Sequence, residues 1–103
     1  MLPEQFEIEL KEAFKRAESV LSLKAEVYSQ AGDRLGNFKS AAGAQNINPV
    51  QALVGMMTKH YVSVCDMSKE PTKYSIETWN EKLGDLRNYV LLCEALIRDI
   101  GVV

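Results

Sequence analysis

Apolar residues recur in this chain at three- and four-residue steps over long stretches, and no stretch alternates with period two. That pattern specifies helices that each bury one face, and it leaves no material for a sheet. The first such stretch runs through Phe6, Leu10, Ala13, Phe14, Ala17, Leu21 and Tyr28. It holds the helical period for about seven turns, a rod of roughly 40 Å. Pro3 suits its start, where a missing N–H is not needed, and Gly32 is placed to cap its end. Glu7/Lys11 and Glu12/Arg16 stand four apart on its outer face, in the favourable order.

Residues 31–37 form a turn-rich connection, and residues 38–44 a short helix or a single extended turn. Asn48, Pro49 and Gln51 then read as N-cap, first position and third position of a capping box. The helix they open places Val50, Leu53, Val54, Met57, Tyr61 and Val64 on one face, and it ends at the polar break before Pro71. Ser75 is the expected N-cap of the last helix, which runs to about Ile100 with Gly101 as its cap. Its expected core face is Ile76, Trp79, Leu83, Leu86, Val90, Cys93 and Ile97. Leu91, Leu92, Ala95 and Leu96 add apolar residues outside that stripe, and a helix apolar on most sides must be covered on most sides. The expected fold is therefore all-α: three long helices and one short one, in a helical bundle completed by dimerisation. The expected homo-oligomer contact lies on the C-terminal helix.

With 103 residues the chain is one domain, spanning 1–103, large enough for its own core and small enough to gain from oligomerisation. A net charge of −2 with both signs interspersed argues against nucleic acid as a partner. Neither late helix presents the basic face that a DNA-binding helix-turn-helix requires. The start has no basic region followed by an apolar run, and the apolar segments are too interrupted to span a bilayer. Cys65 and Cys93 sit in apolar helical patterns as reduced thiols, and a single histidine makes a Cys/His metal cluster unattractive. The expected setting is cytoplasmic.

Three places carry candidate chemistry. Glu77, Glu81 and Asp85 stack at one-turn spacing on the last helix, where unneutralised like charges cost roughly 0.2–0.5 kcal/mol per pair. Gly84 beside them lets a ligand or a backbone approach. A hard cation such as magnesium takes one or two carboxylates together with substrate phosphates, which this row supplies. The plainer alternative is a solvated acidic face paired with Lys82 or with a lysine from another helix. Lys59 lies on the side of the small residues Ala52 and Gly55, as a phosphate contact or as a snorkelling surface lysine. His60, beside Met56, Met57 and Val64, reads as a structural histidine rather than a base. The connection contributes Asp33, Arg34 and Asn37 but matches no Walker or dinucleotide fingerprint.

The motifs G-D-R-L-G-N-F at 32–38, M-M-T-K at 56–59 and W-x-E-K-x-G-D-x-x-N-Y at 79–89 occur in this order. In that order the chain resembles small phage and prophage helical proteins bordering the MazG-like, all-α nucleoside triphosphate pyrophosphatases, including nucleotide-modification-associated domains. The resemblance implies a helical bundle assembled as a dimer or larger oligomer. It also implies magnesium-dependent hydrolysis of a nucleoside triphosphate to monophosphate and pyrophosphate. By the same resemblance Glu81, Asp85 and Glu26 would be metal ligands, and Lys59, Asn37, Asn88 and Tyr89 would contact the nucleotide. The family's clustered Glu-Glu-x-x-Glu on an early helix is absent, with only Glu18 and Glu26 standing apart on the first helix. Two readings follow: a magnesium-dependent nucleotide pyrophosphohydrolase or nucleotide-binding relative, and a non-catalytic helical interaction module that acts as a homo-oligomer.

Overall fold

The structure, a computed structural model, describes residues 1–23 and 32–103. Those residues form four helices and no strand: α1 (Pro3–Leu23), α2 (Gly36–Gln45), α3 (Pro49–Met67) and α4 (Ile76–Asp99). A short 3-10 turn at Pro71–Lys73 joins α3 to α4. The protein is an all-α helical bundle. No helix among the described residues is long and apolar enough to cross a membrane.

The local signals act as their chemistry requires. Asn48 Oδ1 accepts from the Gln51 N–H at 2.9 Å, and Gln51 Oε1 accepts from the Asn48 N–H at 3.1 Å. Two otherwise orphaned donors at the start of α3 are thereby satisfied. The Ser75 hydroxyl accepts from the Thr78 N–H at 3.1 Å and caps α4. Gly101 follows α4 with φ of 92°, in the left-handed region where a Cβ is unfavourable. Gly32 has φ of 79°, also in the left-handed region. The end expected for the first helix, with Tyr28 and Glu26, lies outside the described residues.

The core gathers Leu35, Phe38, Leu53, Leu92 and Leu96, with Leu21, Val50, Met56, Tyr89 and Cys93 packed against it. It lies where α2, α3 and the second half of α4 meet. On α4 the buried row is Gly84, Asn88, Leu92 and Leu96. At 3.6 residues per turn this row is roughly opposite the stripe expected from the apolar pattern. The expected stripe is partly open: Ile76, Leu83 and Val90 are exposed, while Trp79, Leu86, Cys93 and Ile97 are half-buried. The inward row begins with a glycine and an asparagine, which an apolar count does not see.

A charged tie fixes the entry to α2. Lys39 bridges Asp33 before the helix and Asp99 at the end of α4, the latter at 2.7 Å. The Lys39 hydrogen bond, followed by the Leu35 N–H, holds the Asp33 carboxyl below its ordinary pKa. A depressed carboxylate stabilises the fold above its unfolded pKa, and the contribution is lost as pH falls through the folded value. Asp33→Asn is therefore expected to lower Tm at pH 7 and to make little difference at a pH below the carboxylate range. Paired melting curves at the two pH values check this.

Candidate functional site

A cleft of about 640 Å³ opens between α1 and α4. Glu12, Lys15, Arg16, Ser19 and Val20 line it from α1, and Asn80, Glu81, Gly84, Asp85, Arg87 and Asn88 from α4. The helical period explains both walls. On α4, residues 81, 84, 85 and 88 share one face, so the glycine leaves room between two carboxylates and an amide. On α1 the polar residues of the cleft flank the strip through which Ala17, buried at 2% exposure, seats the helix.

Two guanidinium groups decide the character of this cleft. Arg16 and Arg87 both line it, and neither forms an ion pair among the described residues. Burial, and then the positive charge of Arg16, pushes the Arg87 pKa down. The two cations are therefore close enough to repel each other. Arg16 Nε, Arg87 Nε and Asn88 Oδ1 are buried with no hydrogen-bond partner among the described residues. Each unsatisfied buried group of this kind costs about 1–3 kcal/mol. Arginine forks that no carboxylate engages match the oxygens of a phosphate, which accept several N–H bonds at once.

Glu81 is exposed and Asp85 half-buried on the same wall. Asp85 also faces α3: its Oδ2 lies 3.8 Å from His60 Nδ1. The His60 ring stacks on Tyr89 with centroids 4.9 Å apart, and Tyr89 meets Phe38 edge-on at 6.4 Å. This aromatic run leads from the core to the side of one carboxylate of the cleft. Among the described residues no group of three or more His, Cys, Asp or Glu side chains is placed to hold a metal. Two carboxylates suit magnesium when phosphate oxygens complete its shell, because the ion keeps its waters otherwise.

The cleft brings together Glu81, Asp85 and Asn88 from the residues singled out in the sequence. Lys59 is exposed on α3 and does not line it. Asn37 is half-buried on α2 and engaged in an interaction there, and Tyr89 packs toward His60 and Phe38. Glu26 lies outside the described residues. Sequence reasoning passed over Arg16 and Arg87. Arg16 had a ready explanation as the partner of Glu12 four residues earlier. The available signal for Arg87 was its place one turn after Gly84, on the side of the helix that the glycine opens. No family model, curated protein or solved structure matches this chain.

Proposed function

We propose that the α1–α4 cleft binds the phosphate groups of a nucleotide together with magnesium, in a nucleotide pyrophosphohydrolase-like protein or a nucleotide-binding relative of one. The observation that carries this reading is the pair of arginines, Arg16 and Arg87, lining one cleft with no ion pair to either guanidinium among the described residues, although Glu12, Glu81 and Asp85 line it too. A phosphate chain would pair with both guanidinium groups and offset their mutual repulsion. Asn88 Oδ1 would accept from a hydroxyl or amino group of the ligand. Magnesium, when bound, neutralises phosphate charge and acidifies an attacking water. Glu81 and Asp85 are the residues that would hold it. The order of motifs shared with the MazG-like pyrophosphatases supports the same ligand class.

Incubation with each nucleoside and deoxynucleoside triphosphate, in magnesium or manganese, is expected to release pyrophosphate or at least to raise Tm. Neither product nor thermal shift with any of them would remove this reading.

A second reading, a non-catalytic helical interaction module, is favoured by the exposed apolar residues Ile76, Leu83 and Val90 on α4. The contact expected from the apolar surplus Leu91, Leu92, Ala95 and Leu96 does not lie on this row, and Leu92 and Leu96 are spent in the core instead. Joint replacement Glu81→Ala and Asp85→Ala separates the two. The nucleotide reading expects loss of the magnesium-dependent thermal shift, whereas the module reading expects unchanged or improved stability that is indifferent to magnesium.

A further inference from the structure

The N-terminal half of α1 is a helix without a floor. Every residue from 1 to 12 is exposed, and the apolar stripe of α1 is covered only at Ala13, Ala17 and Leu21. Phe6 is 57% exposed, Leu10 42% and Phe14 57%, at four-residue steps on one face. An isolated helix of this length is marginal in water, so its persistence calls for packing. The surface of the whole chain makes the same point. It exposes 7341 Å², about 1,500 Å² more than a folded monomer of 11.5 kDa is expected to show. The radius of gyration is 15.6 Å, against about 13 Å for a compact domain of this length. The excess is of the order that one side of a stable dimer removes.

We propose that α1 pairs antiparallel with α1 of a second copy of this chain, about a two-fold axis at Leu10. This pairing sets Phe6 against Phe14 of the second copy, and Leu10 against Leu10. The charges on α1 select the direction. Along one edge of the stripe the order is Glu4, Glu7, Lys11, Lys15, acids first and lysines after. In an antiparallel pair that edge meets its own copy reversed, which brings Glu7 beside Lys11 of the second copy and Glu4 beside Lys15. A parallel copy would instead set it against the edge that carries Gln5, Glu9 and Glu12, where Lys11 and Lys15 find acids but Glu4 and Glu7 meet only Gln5 and Glu9. The proposal is independent of what the cleft binds.

Sedimentation equilibrium at 5–100 µM tests it. The wild-type chain is expected to reach twice its mass, and Leu10→Glu to remain monomeric with unchanged helical circular dichroism. Glu7→Lys and Lys11→Glu should each weaken the dimer by about tenfold or less, and the double exchange should restore it. Leu10→Cys, in a chain whose Cys65 and Cys93 are serines, should form a disulfide-linked dimer under mild oxidation. A wild-type monomer throughout the range overturns the proposal. A dimer that survives Leu10→Glu and is lost with Val90→Glu overturns it in favour of the α4 row. A charge exchange that fails to restore the dimer overturns the antiparallel direction.

Discussion

Replacing Phe38 by alanine is expected to destabilise the protein by about 3–5 kcal/mol, the usual cost of emptying a filled aromatic site. Phe38 is 1% exposed and lies in the core with Leu53 and Leu96, both fully buried. These three side chains tie α2, α3 and α4 together, and the edge of Phe38 supports the Tyr89 ring that stacks on His60. The loss therefore has two readouts. Tm should fall by more than about 10 °C, and the position of Asp85 in the cleft should loosen, weakening magnesium-dependent ligand binding in whatever fraction stays folded. Ile8→Ala on α1 is the control: 61% exposed and away from the apolar stripe, it should change stability by no more than about 0.5 kcal/mol.

The second large effect changes sign with the ligand. Arg16 and Arg87 repel each other and leave buried donors unsatisfied in the free protein. Arg87→Met keeps much of the side-chain volume while removing the charge and the orphaned Nε. The unliganded variant should melt higher than wild type. Arg16→Met should do the same, and the double replacement should gain less than the two single gains together, because one replacement already relieves the repulsion. Nucleotide binding should move the other way. A hydrogen bond to a charged group contributes about 1.5–3 kcal/mol, so each replacement should weaken phosphate binding roughly 10- to 100-fold. Residues that only stabilise the fold would lower Tm when removed.

The difference between what was and was not readable in the chain has a local cause. Caps are written in adjacent residues, so Asn48, Gln51, Ser75 and Gly101 marked the ends of α3 and α4 from the sequence. The all-α class followed from the period alone. The phase of α4 did not, because the row that turns inward starts with Gly84 and Asn88 and leaves part of the more apolar stripe outside. Packing partners choose the buried face, and neither Gly84 nor Asn88 carries an apolar side chain that would mark it as buried. The carboxylates Glu81 and Asp85 could be singled out by their one-turn spacing. The arginine pair could not: Arg16 and Arg87 are far apart in sequence, and each has ordinary neighbours on its own helix. Only the approach of α1 to α4 turns two unremarkable surface cations into one charged site.

Calorimetric titration of a nucleoside triphosphate, in excess magnesium, into wild-type protein and into Arg87→Met bears most directly on the cleft. Saturable binding to the wild type, weakened at least tenfold in a variant that melts no lower than its parent, is the expected result. Equal binding by both proteins, or heat from neither with any triphosphate, would contradict the assignment of the cleft to nucleotide phosphates.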